Sequence, residues 1–222
     1  MATGKKFYRW LFYVLGMATL ALGIVLSTKS RLGMSPILSA VYCLSEIYGL
    51  NFSTLTLIYY ILLVAAQFLL RGRNYHLSDL LQVPVCIVFT RLMDIFSRIL
   101  PLEPVFLWQK LLIAAASVLA TGAGMTLALD MQLVPNPGDG IVQAISDRSG
   151  LSLGTSKNLF DGGSVLLAIV LSLILSGRII GLGIGTVINV VCIGRVVALC
   201  TWLFKGKIMH LAFGDAKKED AL

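Results

Sequence analysis

The sequence predicts an all-α membrane protein, a polytopic helix bundle built from two internal repeats. Its mean hydropathy is +0.88, and 57% of its 222 residues are hydrophobic while 13% are charged. A soluble domain of this length could not bury so much apolar surface. The charged residues recur at intervals of roughly twenty residues, which is the length that a helix rising ~1.5 Å per residue needs to cross a ~30 Å hydrocarbon core.

Six apolar runs are long enough to span the membrane. They lie at about 10–28, 54–70, 80–100, 109–130, 158–176 and 180–204. Two shorter segments, 35–49 and 136–150, lie between them, and each has proline near its start and glycine at its end, as helices often do. At ~20 Å, each short helix falls short of the hydrocarbon core. We therefore favour six spanning helices plus two re-entrant ones, and the alternative is that the short helices also cross.

The second half of the chain repeats the first. An offset of 101 residues aligns identical residues in one order, and slightly larger offsets continue the series: Leu32 with Leu133, Pro36 with Pro137, Gly49 with Gly150, Thr54 with Thr155, Gly72 with Gly177, and Arg91 with Arg195. This pattern predicts a first repeat over 1–105, a second over 106–205, and a polar C-terminal tail over 206–222. The order in each repeat is long, short, long, long. Re-entrant short helices would make the repeats inverted, and crossing ones would make them parallel.

Corresponding interrupted helices in two halves are typical of transporters, whose substrate site lies near the bilayer midplane. Arginines in the middle of two spans are the first candidates for that site. Arg91 and Arg195 each cost at least ~2.5–3.5 kcal/mol to insert, so each needs a partner. Together they would suit a carboxylate, sulfonate or phosphate. The alternative is internal ion pairs, with Asp94 for Arg91 and with Asp130 or Asp161 for Arg195.

The N-termini of the two short helices are the second candidate for the site. Free N–H groups and the positive end of the helix dipole would face an anion there. The residues expected to line it are Ser35 and Pro36 in the first segment, Asn136, Gly138, Asp139 and Gly140 in the second, and Asn189 in the last span. Asp139 could instead cap its own helix, since an acid is favourable in the first turn.

Asp161 and Asp94 are the candidates for proton coupling. Asp161 lies four residues after Lys157, so a local ion pair is the simpler expectation for it. His76 and His210 are isolated, and the four cysteines lack the spacing of metal ligands. No nucleophile–base motif or ATP-binding motif is present in the sequence. We therefore expect no enzyme, no catalytic residues, no metal and no cofactor, and a gradient as the energy source.

The net charge of +7 does not indicate nucleic-acid binding. Most Lys and Arg lie at the ends of apolar runs, where they contact lipid and set topology. More of them lie on the side of the membrane that holds the N-terminus than on the opposite side, so we expect both termini in the cytoplasm. The oligomeric state stays open, with a homodimer among the alternatives.

Three stretches resemble the YitT/YczE-like family of bacterial integral membrane proteins: LGMSPILSAVYCLSEIYGLNFST, PNPGDGIVQAISDRSGLSLGTSKN and GLGIGTVINVVCIGRVV. The resemblance covers residues 10–205. The matching positions are Gly150, Ser152, Gly154, Thr155, Gly183, Gly185, Thr186, Asn189 and Gly194. The equivalent stretch of the first half, LSDLLQVPV, lacks these glycines. The resemblance implies a multi-pass protein of the bacterial cytoplasmic (inner) membrane that acts as a transporter, and it implies no substrate.

The sequence as a whole predicts a small membrane transporter or exporter with a midplane site between its two repeats. The expected substrate is a small organic anion. The alternative is a non-transporting binding or accessory subunit for a small molecule or a partner complex. A third interpretation, with both arginines in structural pairs, would leave a neutral or lipid-like substrate.

Overall fold

The computed structural model describes residues 2–72 and 77–213, and these ranges are helical without any strand. The elements are α1 (Ala2–Ser30), α2 (Pro36–Tyr48), α3 (Phe52–Arg71), a short 3-10 helix (Leu77–Leu81), α4 (Gln82–Ile99), α5 (Leu107–Asp130), α6 (Pro137–Ser149), α7 (Leu153–Ser176) and α8 (Ile184–Phe213). Six of them, all but the 3-10 helix, α2 and α6, are long and apolar enough to cross a membrane. The predicted all-α, multi-helix membrane fold class is confirmed.

The first and last helices are longer than the sequence predicted. The first begins at Ala2 rather than near residue 10, and α8 continues to Phe213. The expected polar tail over 206–222 therefore starts as helix, because residues 206–213 still carry apolar side chains and no proline. Residues 214–222 and His76 lie outside the described part of the chain.

The two short helices begin in the same way. Ser35 and Asn136, which precede them, have extended backbones, with φ −61° and ψ 148° at Ser35 and φ −64° and ψ 141° at Asn136. A proline follows each as the first helical residue, where its missing N–H costs nothing. Just upstream, Arg31 and Gln132 are the two described non-glycine residues with positive φ, at 54° and 49°.

The two short helices also end in the same way. Gly49 and Gly150 stop them with φ of 63° and 72°, a left-handed conformation that favours glycine. Ser45 Oγ donates to the Leu50 carbonyl at 2.7 Å, and the hydroxyl 101 residues later, on Ser146, donates to the equivalent Leu151 carbonyl at 2.7 Å. The backbone therefore carries matching features at the offset that aligns the two halves of the sequence.

Helices α1 and α5 form the centre of the bundle and cross with their backbones in contact. A Cβ built on Gly23 would lie 2.5 Å from the backbone nitrogen of Thr121, and one on Gly16 would lie 2.7 Å from that of Ala128. Small residues permit such close approach of helices in membranes. The contact runs from Gly16 to Gly23 along α1 while it runs from Ala128 back to Thr121 along α5. The two helices are therefore antiparallel. This direction agrees with re-entrant short helices and not with short helices that cross.

Each short helix packs against the third helix of the other half, α2 on α7 and α6 on α3. Between α2 and α7, Cys43 Sγ lies 3.0 Å from Ser172 Oγ. Between α6 and α3, Gln67 Nε2 donates to the Pro137 carbonyl at 3.2 Å. These contacts join the two halves and fix where the N-terminal ends of the short helices lie.

Candidate functional site: a cavity between the short helices

The N-termini of α2 and α6 meet inside the bundle, where a Cβ on Gly138 would overlap Cδ1 of the Ile37 side chain. A cavity of about 620 Å³ opens beside this contact. Its walls are the first turns of α2 and α6 together with α1, α5, α7 and α8, and they are mostly apolar. Pockets of this size and composition are typical of small-molecule sites.

Most of the residues predicted for the site line this cavity. They are Ser35, Pro36, Asn136, Gly138, Asp139, Asp161 and Asn189. Asn189 is buried and its Nδ2 donates to Ser27 Oγ at 3.3 Å, so α8 is tied to α1 at the cavity wall. The structure brings most of these side chains together because the N-termini of α2 and α6, which carry them, are in contact.

Gly140 lies outside the cavity. A Cβ at this position would lie 2.6 Å from Oε1 of Gln67. The glycine therefore allows α6 to pack closely on α3, and its role is structural rather than in binding.

Arg91 and Arg195 do not reach the cavity. Both are exposed on the outer surface, and neither forms an ion pair with a described residue. The residue before each explains why: Thr90 is buried, and Gly194 lines the cavity. Adjacent residues on a helix point about 100° apart, so each arginine is turned away from the interior. The expected convergence of the two guanidiniums on one site does not occur in this structure.

The pairing of Arg91 with Asp94 was also wrong. Asp94 Oδ2 lies 2.8 Å from Nη2 of Arg98, one turn further along α4, and its Oδ1 accepts from Asn51 Nδ2 at 2.9 Å. Asp94 does not line the cavity. It connects α4 to the start of α3, so its contacts are those of a structural residue.

Asp139 is not the cap of α6. That role belongs to Asn136, whose Oδ1 accepts from Gly138 N at 3.1 Å and whose carbonyl accepts from the next two N–H groups, each at 2.9 Å. The Asp139 carboxylate makes no hydrogen bond or ion pair with any residue in the described ranges. Because it also lines the cavity, it is available to a ligand.

The start of α2 has fewer capping hydrogen bonds than the start of α6, and no acidic residue offsets its dipole. The Ser35 hydroxyl makes no capping hydrogen bond, and the first turn has no acidic residue. Within the described chain the Ile37 N–H also lacks a partner. Both groups border the cavity, and a helix N-terminus of this kind favours an anionic group.

Lys157 and Asp161 form the local ion pair that the sequence predicted, with Nζ 3.1 Å from Oδ2. Both line the cavity, where Lys157 is the one cationic side chain among the described residues. Since the ion pair is neutral and Asp139 offsets the dipole of α6, the remaining positive end is that of α2. The cavity lining thus contains the N-terminal, positive end of the α2 dipole and the carboxylate of Asp139.

Tyr60 is a cavity residue that the sequence did not single out. It is 2% exposed and lines the cavity. A signal was present, because Tyr60 lies 101 residues before Asp161, which was selected.

Six hydrophobic helices and two short helices that meet over an internal cavity define a multi-pass α-helical membrane protein. Over residues 7–201 the chain matches the family described as "Family of unknown function (DUF6198)", and it belongs to that family. It is 25% identical over 183 residues to the "Uncharacterized membrane protein YczE" of Bacillus subtilis (strain 168), covering 78% of this chain and 83% of that protein. No solved structure matches the chain. The resemblance to YczE-like proteins is confirmed.

Proposed function

We propose that this protein is a small, gradient-driven membrane transporter that binds its solute in the cavity between α2 and α6. The observation that carries the proposal is the meeting of two half-helix N-termini, one from each half of the chain, at the wall of that cavity. Broken helices that present their N-termini to a central site are a recurring construction in secondary transporters.

The antiparallel crossing of α1 and α5 supports two halves of inverted topology. Inverted halves let a central site open alternately to either side of a membrane by rocking one half against the other. The excess of Lys and Arg on the N-terminal side favours cytoplasmic termini, and the family relation favours a bacterial cytoplasmic membrane.

The proposed substrate is a small organic solute with an anionic group. That group would lie at the start of α2, near Ser35 and the Ile37 N–H, and Lys157 balances the negative charge of Asp161 in the same cavity. Asp139 disfavours a second negative charge. A monoanion, or a zwitterion whose cationic group lies beside Asp139, therefore fits the cavity best.

Thermal stabilisation of the detergent-purified protein by a solute panel tests the binding site. The panel contains small carboxylates, sulfonates, phosphates, zwitterions, neutral solutes and cations. We expect a monoanion or zwitterion to raise the Tm dose-dependently in the wild type and in the control Lys110→Gln, whose lysine does not line the cavity. Lys157→Gln should fold and lose most of that response. Stabilisation by cations alone would contradict the proposed substrate.

Uptake of the stabilising solute into liposomes that contain only this protein tests transport itself. An imposed gradient should drive uptake that Lys157→Gln reduces. Binding without uptake would favour a second candidate, a membrane accessory subunit. One observation supports that candidate: Arg91 and Arg195 are exposed on the outer surface without an ion pair to any described residue, and an acidic residue of a partner helix would stabilise them there.

A further inference from the structure

Equivalent surfaces of α4 and α8 differ in their surroundings: the α4 surface is buried, and the α8 surface lines the cavity. The offset of 104 residues that aligns Arg91 with Arg195 also relates three buried α4 residues to three α8 residues. The α4 residues are Cys86, Phe89 and Met93, which are 1%, 4% and 0% exposed. Their equivalents, Val190, Ile193 and Val197, line the cavity.

The third helices of the two halves show the same difference. Tyr60 on α3 packs against Phe89 with a ring-centroid distance of 6.2 Å. The position 101 residues after Tyr60 is Asp161 on α7, which borders the cavity. Helices α3 and α4 are therefore packed together, while the matching faces of α7 and α8 stand on either side of a cavity.

We propose that Tyr60, Phe89 and Met93 form the closed gate of the solute route at α3 and α4, while the equivalent faces of α7 and α8 are open to the cavity. Since α1 and α5 are antiparallel, equivalent positions of the two halves face opposite sides. In the alternate state α7 and α8 pack together as α3 and α4 do here, and α3 and α4 separate. This inference rests on the proposed transport function and specifies how the same site is opened and closed.

The two states are not equal in energy because the two gates differ in sequence. The α3–α4 gate buries aromatic and apolar side chains, whereas the α7–α8 surfaces carry the partly exposed Lys157–Asp161 ion pair. Burying apolar surface is favourable, whereas burying an ion pair carries a desolvation cost that can exceed the attraction between its charges. The described state, with the apolar gate closed, is the one favoured without a solute.

The native Cys86 makes the gate measurable by thiol labelling. One protein keeps Cys86 and carries Cys43→Ser, Cys192→Ser and Cys200→Ser; its matched control also carries Cys86→Ser and Val190→Cys. A membrane-impermeant maleimide is applied to intact cells and to inverted membrane vesicles. We expect Val190→Cys to be labelled from one side only and Cys86 to be protected from both.

Weakening the gate should expose Cys86 from the other side. We expect Phe89→Ala to raise Cys86 labelling at least fivefold, only from the side that fails to label Val190→Cys. Adding Gly194→Trp should remove the increase, because the tryptophan fills the cavity that must close in the alternate state. No heavy atom lies within 4 Å of a Cβ at Gly194, so a side chain at this position starts in open space in the described state.

Three results would overturn the gate: Cys86 staying protected in a folded Phe89→Ala protein, labelling from the same side as Val190→Cys, or indifference to Gly194→Trp. Folding is checked by a single symmetric gel-filtration peak and a cooperative Tm. If Phe89→Ala does not fold, Phe89→Leu and Met93→Ala are measured in the same way against the same outcomes. The labelling uses no solute, so a positive result without liposome uptake would reject the proposed transport function and leave only an opening of α3 and α4 that is not a solute gate.

Discussion

Gln67 and Gln82 form a reciprocal amide pair in the protein interior. The Nε2 of Gln67 donates to Oε1 of Gln82 at 3.2 Å, and Nε2 of Gln82 donates back to Oε1 of Gln67 at 3.1 Å. Both side chains are 0% exposed. Gln67 also donates to the Pro137 carbonyl at the start of α6. The pair therefore joins α3, α4 and α6 behind the cavity.

Replacing either glutamine alone should lower the free energy of unfolding, and the two single losses should add up to more than the loss caused by replacing both. Gln67→Leu and Gln82→Leu each leave a buried amide without its partner, at a cost of ~1–3 kcal/mol. Gln67→Leu should cost more, because it also strands the Pro137 carbonyl. The double variant, with an apolar pair, should cost less than the sum of the two.

Thermal unfolding of the four proteins in detergent measures this cycle. The matched control is Gln109→Leu on the partly exposed start of α5, combined with Gln82→Leu. That combination should be additive within ~0.5 kcal/mol, as for distant sites. Additivity of the Gln67 and Gln82 variants would show that the pair is not coupled.

A methyl group added at the α1–α5 crossing should be strongly destabilising. A Cβ on Gly124 would overlap the backbone of Leu20 on the facing helix. Gly124→Ala must therefore move two helices apart, at ~1–3 kcal/mol or more, despite the better helix propensity of alanine. We expect a clearly lowered Tm and reduced yield of membrane-inserted protein.

Gly163→Ala is the control for the added methyl group, since no heavy atom lies within 4 Å of a Cβ there. Alanine at this position in α7 should stabilise the helix by up to ~1 kcal/mol. Equal Tm values for the Gly124 and Gly163 variants would mean that the α1–α5 contact is looser than the structure shows.

Much of the fold was predictable from hydropathy and local signals. The six long helices followed from apolar runs of membrane length, and both short helices from their flanking proline and glycine. Their N-terminal residues, Asn136 and Asp139 among them, line one cavity in the structure, and the sequence placed them together because corresponding interrupted helices are typical of a shared site.

The sequence could not predict which way the mid-span arginines face. A long apolar run has no polar stripe to show which side of the helix is buried, so Arg195 could be placed at a depth but not on a face. Depth together with the cost of an unpaired charge suggested a central site. The orientation is set by packing of α8 against α1 and α5, through contacts such as that of Val196 with Gly122.

Removing the Asp139 charge should strengthen anion binding without unfolding the protein. The carboxylate makes no hydrogen bond or ion pair in the described chain, so Asp139→Asn should change stability by no more than ~1 kcal/mol, the dipole contribution of a first-turn acid. Loss of a negative charge at the cavity should tighten binding of a monoanion by about tenfold, or ~1.4 kcal/mol.

Ligand-dependent Tm shifts at several solute concentrations measure this change in Kd. Glu46→Gln, at the exposed C-terminal end of α2, is the control and should leave the Kd unchanged, because exposed charges are screened. A weaker response to the solute in Asp139→Asn would show instead that the carboxylate binds a cationic group, which identifies the substrate as a zwitterion.

Arg91→Gln and Arg195→Gln should leave solute binding unchanged within about twofold, because the structure places both guanidiniums outside the cavity. Neither variant breaks an ion pair with a described residue, so the Tm without solute should fall by little or should rise. The reason is that each substitution removes a mid-membrane charge whose insertion costs at least ~2.5–3.5 kcal/mol. The measurement is the same Tm titration, with Lys157→Gln as the variant that loses the response.

If a folded Arg195→Gln protein no longer responds while Arg91→Gln does, then Arg195 reaches the solute in a state other than the one described, and the assignment of the anionic group to the start of α2 is wrong. If both respond as the wild type does, the arginines act at the outer surface, and a partner's acidic residue becomes the simplest reason for two charges at that depth that have no ion pair with a described residue.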